Sequence, residues 1–487
     1  MVTVMYLVRA AALLLLSTFA VVSALAMQRS PAPGRDVVRL YAESCANCHG
    51  TKLTGAQGPS LVDDEWKYGS DDASIAKSIH TGQPATGMPP FGGALSAQDI
   101  RALVIYIREE GARARRAQTS FAKPGGNISA ASELHAFRLE TVTNGVAAPW
   151  ALAFLPDGTI LVTEKKGRLR TVARGVVSQP IRGVPVVYTE GQAGLLDVAL
   201  HPEYQKNGWI YLSYSDPGPN GSAMTAVVRG RLQDGAFVDQ QEIFKAAPAH
   251  YRQGGVHFGS RFVFDGKGHL FFSIGERGQA KEAQDITRPN GKVHRVWDDG
   301  RVPDDNPFVK EAGAVPSIWS YGNRNAQGLV RHPVTGDLWE VEHGPRGGDE
   351  VNIIQPGRNY GWPVITYGMN YDGTPMTDRT AQEGMEQPII HWTPSIAVSS
   401  IDFYVGDAFP KWNGHLLLGS LAAEELRRLE VDGTQVTRQE VLFKEVGRIR
   451  DVVVGPDGFV YLAMHAPDRI ARLVPADGGA PRTARAR

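Results

Sequence analysis

Apolar and polar residues alternate in short runs along the chain from residue 135 onward, and each run follows a turn built on Pro, Asp, Asn or Gly. Alternation with period two is typical of a half-buried β-strand. The units that recur are LPDGTILVTE, HPEYQKNGWIYLSY, FDGKGHLFFSIGE, HPVTGDLWEVEHG, WNGHLLLGSL and GPDGFVYLAM. Because such units bury their faces only against one another, the six of them predict a six-bladed β-propeller over residues 135–475, with a β-sandwich as the alternative.

The preceding part of the chain has a helical period instead. VVRLYAESC predicts a helix, and Ser96 with Asp99 three residues later is a helix-start pattern. After it, apolar residues recur at helical spacing at Ile100, Leu103, Val104 and Ile107. We therefore expect a small all-α domain over residues 35–110, in front of the mainly β part.

Residues 111–134 differ from both parts. GARARRAQTSFAKPGGNISAASE is basic, rich in small residues and without apolar periodicity. This composition predicts a solvated linker.

The first residues resemble an export signal. Arg9 is followed by the apolar run AALLLLSTFAVVSALA, which ends in an A-x-A exit at Ala26. This order predicts a secretory signal peptide over residues 1–26, with an uncleaved membrane anchor as the alternative. Either way the remaining chain is exported, which predicts a periplasmic protein.

The overall charge is balanced, with 51 Lys+Arg against 51 Asp+Glu, so no net field favours nucleic acid. The only two cysteines lie in the stretch CANCH, residues 45–49. C-x-x-C-H is the attachment sequence of c-type haem, with Cys45 and Cys48 bound to the vinyl groups and His49 beneath the iron. Met88, in the Pro-rich loop TGMPPF, is predicted as the second iron ligand. A helix, CxxCH, a Met loop and a second helix together resemble a class I cytochrome c domain.

Several loops of the β part contain functional side chains that simple connecting loops do not need. They are GQAGLL, VHFGSR, IWSYGNRNAQG, EHGPRGGDE, NYGWP and RIRDVVVGPDG. Taken in this order, they are similar to the soluble quinoprotein aldose/glucose dehydrogenases, six-bladed propellers that bind pyrroloquinoline quinone (PQQ) and calcium. The resemblance covers about residues 135–475.

The resemblance implies a set of cofactor contacts. PQQ carries three carboxylates, which suit cations in fixed geometry. The residues assigned to it are Gln192, Arg324, Asn325, Arg448, Arg450 and Trp392. Trp392 matches an aromatic residue near the cofactor plane, and packing within a blade is its alternative role.

By the same resemblance, His257 is the catalytic base and Glu276 is the acid that orients it. An imidazole titrates in the range needed to take the proton of a sugar hydroxyl. Two positions depart from the family pattern. Val256 stands where an acidic residue often precedes the histidine, and Ala422 stands where a lysine contacts PQQ.

Calcium is also implied by the resemblance. The backbone carbonyls of Gly344 and Pro345 are expected to bind the ion that polarises the quinone, and Asp349 is not expected to ligate it. Glu350 and Tyr360 are candidates for a structural calcium ion, with capping or packing of their loop as the alternative.

These observations predict a periplasmic PQQ-, calcium- and haem c-dependent enzyme that oxidises aldoses at C1. A tethered haem would accept the electrons and pass them to a soluble cytochrome or a membrane oxidase, so that peripheral contact with the membrane stays open. Two alternatives remain. One is a non-enzymatic electron-transfer or recognition protein that uses the propeller as a docking platform, and the other is a calcium-dependent lactonase.

Overall fold

The structure is a computed structural model that describes residues 35–121 and 123–477. The predicted signal peptide, residues 1–26, lies outside the described residues. Within the described ranges, no helix is both long enough and apolar enough to cross a membrane.

The first part of the described chain is helical, as expected. The side chain of Asp36 caps the first helix, and a reciprocal pair of hydrogen bonds between Ser96 and Asp99 caps the fourth, which begins where the sequence pattern predicted. The helices are α1 (Val37–Ser44), α2 (Ala46–His49), α3 (Asp72–Thr81) and α4 (Ala97–Gln118).

Helix α4 does not end near residue 110. It continues through Gln118, into the stretch predicted to be a solvated linker. Its Ala- and Arg-rich turns favour helix intrinsically. The side chain of Arg116 also forms a 2.9 Å ion pair with Glu425, so this turn is fixed rather than free.

The rest of the chain forms six antiparallel sheets in the described residues, which confirms the six-bladed propeller. Two short strands precede the first complete blade: β1 (Ser129–Ala131) and β2 (Ala136–Thr143). The first blade contains β3 (Pro149–Phe154), β4 (Ile160–Glu164), β5 (Arg168–Ala173) and β6 (Val176–Val177). The second contains β7 (Leu195–Leu200), the short helix α5 (Tyr204–Asn207), β8 (Ile210–Pro217), β9 (Ser222–Gln233), β10 (Ala236–Phe244) and β11 (Arg252–Gln253).

The later blades follow the same order, with the innermost strand first. The third blade contains β12 (Phe262–Phe264), β13 (His269–Ile274), β14 (Lys292–Trp297) and β15 (Ile318–Tyr321). The fourth contains β16 (Ala326–Arg331), β17 (Leu338–Glu342), β18 (Asp349–Ile354) and β19 (Ile390–Trp392). The fifth contains β20 (Val398–Phe403), β21 (Leu416–Ser420), β22 (Glu425–Asp432) and β23 (Gln435–Lys444). The last contains β24 (Arg448–Val454), β25 (Val460–His465) and β26 (Arg469–Pro475).

The last sheet joins the two ends of the propeller. Strand β2 pairs with β26, and β1 pairs with β2, so the N-terminal strands complete a blade whose other three strands are the final ones of the chain. This closure leaves no free edge between the first and last blades.

A buried ion network ties the innermost strands together on the propeller axis. Arg261 lies 3.0 Å from both Asp197 and Asp451, and its other nitrogens donate to the carbonyls of Gln327 and Arg450. These five residues belong to the second, third, fourth and last blades. The network therefore fixes the spacing of the inner strands around the channel.

Candidate active site

The loops that carry the predicted site residues emerge at one end of the propeller, which we call the site end. In an antiparallel blade, the loop that enters the innermost strand and the loop between the second and third strands lie at the same end. Gln192, His257 and Arg324 precede the innermost strands β7, β12 and β16, whereas Glu276 and Gly344 follow the second strands β13 and β17. The topology thus brings together residues that are far apart in the sequence.

His257 is held in an unusual backbone conformation. Its φ angle is +53°, in the left-handed region that few residues other than glycine adopt. Its backbone N–H donates to Oε1 of Gln192 over 2.9 Å, and its Nδ1 is hydrogen-bonded to Oε1 of Glu276. Because the two ring nitrogens point in different directions, this second bond leaves Nε2 available to a substrate.

The environment keeps the His257 ring neutral near pH 7. Burial lowers the pKa of His257 below the ordinary 6.5, the hydrogen bond with Glu276 raises it, and the charge of Arg324 lowers it. The net direction is downward. A neutral imidazole that a carboxylate holds in one orientation has the geometry of a general base.

Arg277 fixes the loop of His257, and the sequence analysis did not single it out. Its guanidinium is buried and donates to the carbonyl oxygens of Val256 and, over 2.7 Å, Gly254. Both carbonyls belong to the segment that leads into the histidine. The only signal in the sequence is that Arg277 directly follows the predicted acid in SIGERG.

Arg324 and Asn325 point unused donors into the site. Nη1 of Arg324 donates to the carbonyl oxygens of His343, over 3.0 Å, and Gly344, over 2.8 Å. Nε of Arg324 and Nδ2 of Asn325 are buried and have no hydrogen-bond partner among the described residues. Since buried donors without acceptors are costly, their presence favours a ligand rich in acceptor oxygens.

The two arginines of the last blade, Arg448 and Arg450, lie on strand β24. Nη1 of Arg448 donates to the carbonyl of Leu421 over 3.1 Å, and Nη1 of Arg450 donates to Oε1 of Gln327 over 2.9 Å. Burial, together with the nearby charges of Arg261 and Arg448, lowers the pKa of Arg450 to about 9. The positive charge here exceeds what the neighbouring acids neutralise.

Two further groups belong to this cationic region and were missed by the sequence analysis. Nζ of Lys165, from the first blade, is hydrogen-bonded to the carbonyl of Gly191, and burial together with the charge of Arg450 lowers its pKa. Burial and the charges of Arg324 and Arg450 lower the pKa of His343 to about 3, so its ring is neutral. No periodicity or spacing marks either residue.

The set fits PQQ. A planar quinone with three carboxylates supplies acceptors for the unpartnered donors of Arg324 and Asn325 and negative charge for Arg448 and Arg450. Gln192 lies in the same group of loops, with its Oε1 bound to the His257 amide. Ala422, where the family has a lysine, is exposed and contributes only a backbone N–H, to the carbonyl of Ile396.

A small cavity of about 10 Å³ lies beside Arg324 and is also lined by Glu342, Glu350 and Tyr360. This volume holds about one water molecule or ion. Burial raises the pKa of Glu342 to about 7 and raises that of Glu350, which the charge of Glu342 raises further. The buried carboxylate of Glu342 and the half-buried carboxylate of Glu350 fit a cation. Within residues 35–121 and 123–477, however, no three His, Cys, Asp or Glu side chains form a ready metal site, so backbone or water oxygens would have to complete the shell.

The turn at Gly344 and Pro345, predicted to offer calcium two carbonyls, is shaped by Asp349. Oδ1 of Asp349 accepts a 3.0 Å hydrogen bond from the Gly344 N–H, so this carboxylate organises the turn. The Gly344 carbonyl itself accepts the bond from Arg324, and Pro345 is buried beside it. A calcium ion bound to this carbonyl would have to share it with the guanidinium of Arg324. No catalytic step is assigned to calcium.

Trp392 and Tyr360 are engaged in packing. Trp392 is buried on strand β19, and its Nε1 donates to Oε1 of Gln439 in the next blade over 2.9 Å. The hydroxyl of Tyr360 donates to the carbonyl of Ile353 over 2.6 Å. For Trp392 this is the alternative role considered from the sequence, and the Tyr360 hydroxyl is already used within its own loop.

The residues predicted to bind haem c in the helical part also fit that cofactor. Cys45 and Cys48 lie three positions apart at the start and in the turn of α2, on one side of the helix. Nδ1 of His49 is 2.8 Å from the carbonyl of Pro59, a bond that orients the ring and leaves Nε2 for iron. Met88 and Cys45 are both partly buried and pack against the same helical core.

Comparison with known families identifies both parts. The profile described as Glucose / Sorbosone dehydrogenase matches residues 146–472. The profile described as Cytochrome C oxidase, cbb3-type, subunit III matches residues 32–107.

Individual proteins give the same pattern. The aldose sugar dehydrogenase YliI of Escherichia coli (strain K12) is 46% identical over 331 residues, which are 66% of this chain and 89% of that protein. The crystal structure of the soluble aldose sugar dehydrogenase from Escherichia coli in the apo-form has a TM-score of 0.66 at 42% identity and covers 70% of this chain and 99% of that one. The PQQ-bound aldose sugar dehydrogenase from Streptomyces coelicolor has a TM-score of 0.58 at 27% identity, over 69% and 98%.

Proposed function

The chain belongs to the Glucose / Sorbosone dehydrogenase family and carries a cytochrome c domain, and from this premise we propose that it oxidises aldoses at C1 to lactones and passes the electrons to its own haem c. The observation that carries the proposal is the His257–Glu276 pair beside the unpartnered donors of Arg324 and Asn325. One site thus contains a base, His257, and donors that can bind the carboxylates of a ligand, on Arg324 and Asn325.

The chemistry follows from these groups. Oxidation at C1 removes the hydroxyl proton and a hydride from carbon, and leaves the carbonyl of a lactone. Nε2 of His257 accepts the proton, while Glu276, bound at Nδ1, stabilises the charge that develops on the ring. When bound, PQQ supplies the acceptor for the hydride and its two electrons, and haem c supplies a one-electron carrier to the next protein. Arg324, Arg448 and Arg450 bind the carboxylates of PQQ.

Calcium is part of the proposal. Glu350, together with Glu342, would hold the ion at the small cavity, and the carbonyls of Gly344 and Pro345 would hold a second ion next to PQQ. The raised pKa values of these two carboxylates, which line the same small cavity, support the first of these sites.

The cellular setting is proposed from the N-terminal sequence. An export signal at residues 1–26 would place the enzyme in the periplasm, where c-type haem is attached. A soluble cytochrome, or a membrane oxidase contacted at the membrane surface, would receive the electrons and connect sugar oxidation with respiration. We further propose that the two domains predicted over residues 35–110 and 135–475 extend to the end of α4 at Gln118 and back to the start of β1 at Ser129.

One experiment tests the proposal directly. The oxidised protein with its covalent haem is reconstituted with PQQ, with or without calcium, and the haem absorbance is followed after aldoses are added. We expect haem reduction that requires both PQQ and sugar, and that is faster with calcium. A haem that stays oxidised with every aldose despite bound PQQ would support the docking-platform alternative, and lactone hydrolysis without haem reduction would support the lactonase.

The pH dependence follows from the pKa of His257. Since burial lowers that pKa below 6.5, the neutral base is already the main form at pH 7. We expect kcat/KM for the aldose to fall only as the pH drops below about 6.5, and to stay level between pH 7 and 8. Glu276→Gln removes a partner that raises this pKa, so the acid limb should move to lower pH while the plateau rate falls because the ring loses its orientation.

A matched variant controls for the loss of a carboxylate beside a histidine. Asp265 is bonded through Oδ2 to Nδ1 of His269 over 2.7 Å, away from the site. Asp265→Asn should leave the pH profile unchanged. An acid limb that moves to higher pH in Glu276→Gln would contradict the assigned roles.

A further inference from the structure

The cytochrome domain rests on the site end of the propeller. From Arg35 onward, the two parts of the chain belong to one compact unit. Helices α1 and α4 face a set of propeller residues that we call the docking surface: Arg346, Met369, Gly373, Glu425 and Lys444.

The centre of this surface is a buried ion pair. Nη2 of Arg346 lies 2.9 Å from Oε2 of Glu109 in α4, and Nε of Arg346 donates to the same oxygen over 3.0 Å. The side chain of Glu109 is 4% exposed and that of Arg346 is 21% exposed. A carboxylate buried this deeply is stable as a charge only while its partner is present, so each group holds the other in place.

A segment of the propeller completes the core of the cytochrome domain. Met369 is fully buried within the apolar cluster that contains Val37 and Leu40 of α1. Its backbone exchanges two hydrogen bonds with Arg346, of 2.9 and 3.0 Å, and the N–H of Val37 donates to the carbonyl of Gly373 over 3.2 Å. The segment 367–373 is therefore fixed on one side by the cytochrome and on the other by the turn of Arg346.

The same two segments reach the ligand site. Arg346 follows Gly344 by two residues, and the Gly344 carbonyl is the acceptor of Nη1 of Arg324. Tyr371, in the middle of the segment 367–373, accepts a 3.4 Å hydrogen bond from Nη2 of Arg324. A short path of bonds thus runs from Glu109 through Arg346 to the guanidinium that is assigned to the ligand.

A second contact holds the far end of α4. Arg116 pairs with Glu425 over 2.9 Å, with Glu425 only 2% exposed, and Nζ of Lys444 donates to the Arg116 carbonyl over 3.1 Å. Because α4 is held at both Glu109 and Arg116, the helix cannot rotate about a single contact with the propeller.

We propose that Glu109 is a positioning residue of the ligand site: through Arg346 it holds the turn of residues 343–348, and with that turn the guanidinium of Arg324. The cytochrome domain thus forms a fixed side of the site. Electrons cross an interface of constant geometry, so their transfer does not depend on the diffusion of a tethered domain. The inference rests on the proposed function only in taking PQQ as the ligand.

The test uses the full-length, haem-containing protein carrying Glu109→Gln, which keeps the shape of the side chain and removes its charge. Glu110→Gln is the matched control, because Glu110 is the next residue of α4 and forms its ion pair within the same helix, with Arg113. Hydrogen–deuterium exchange of amides 346–348 and 367–373 is measured without sugar, and the affinity for PQQ is measured by titration.

In Glu109→Gln we expect faster exchange in both segments and PQQ binding weaker by on the order of tenfold. Glu110→Gln should match the wild type, and Glu109→Asp should recover part of the affinity. If Glu109→Gln does not fold, Arg346→Lys serves the same two measurements.

Unchanged exchange and unchanged PQQ affinity in Glu109→Gln would overturn the inference. Faster exchange with unchanged affinity would also overturn it, since the ion pair would then serve stability alone. A wild type that binds no PQQ would count against the proposed function, and the exchange pattern would still decide whether Glu109 holds the turn.

Discussion

Replacing His257 with alanine should lower the rate of aldose-dependent haem reduction by about 10²- to 10⁴-fold, the usual contribution of a positioned general base. The side chain is 12% exposed and its Nδ1 is fixed by Glu276, so its Nε2 is the positioned base. The affinity for PQQ should change little, because the arginine side chains supply that binding. Stopped-flow measurement of haem absorbance, combined with a PQQ titration, checks both expectations.

His269→Ala is the matched control for this variant. Its ring is also 12% exposed and also has Nδ1 bonded to a carboxylate, that of Asp265, but it lies at the start of strand β13, away from the site end. The packing loss is therefore comparable, and haem reduction should stay within about twofold of the wild type. Wild-type turnover in His257→Ala would remove this histidine from the role of base.

Replacing Arg324 with methionine should weaken PQQ binding by roughly 30- to 5 × 10³-fold, because truncating one partner of a buried charge-assisted contact costs about 2 to 5 kcal/mol. The loss has two sources. The guanidinium provides a charge and an unpartnered Nε for the ligand, and it also ties together the carbonyls of His343 and Gly344. Equilibrium titration of the PQQ-free protein measures the effect without relying on turnover.

Arg331→Met provides the comparison, at the far end of the strand that Arg324 precedes. Arg331 ends β16 at the opposite end of the blade and is exposed, so its replacement removes the same charge without touching the site. Its PQQ affinity should equal that of the wild type. Equal affinities for both variants would show that Arg324 does not contact the cofactor.

The segment predicted to be a linker shows where local composition misleads. Residues 111–118 have small and basic side chains without an apolar stripe, which is typical of a solvated tether. They are helical because α4 lies along the propeller, where the buried carboxylate of Glu425 receives Arg116. A helix end that is fixed by a distant partner shows no apolar stripe in the sequence, although its Ala and Arg residues favour helix.

Much of the site was nevertheless predictable. Turn residues followed by alternating strands marked the blades, because each hairpin depends on neighbours close in sequence. The C-x-x-C-H spacing marked the haem site for the same reason. The loop motifs placed His257 and Glu276 in one pair, and the structure joins them by a direct hydrogen bond.

The order of amino acids thus specifies the local features: strand units, helix starts, the haem attachment stretch and the residue types of the loops. The long-range features arise in the folded chain, where β1 and β2 close the last blade, Arg277 and Lys165 join the site, and Trp392 packs between blades. The contact of the cytochrome with the turn beside Arg324 arises in the same way. The reason is physical: these contacts join residues tens to hundreds of positions apart, and their energy depends on which surfaces the closed ring brings together, which no local pattern encodes.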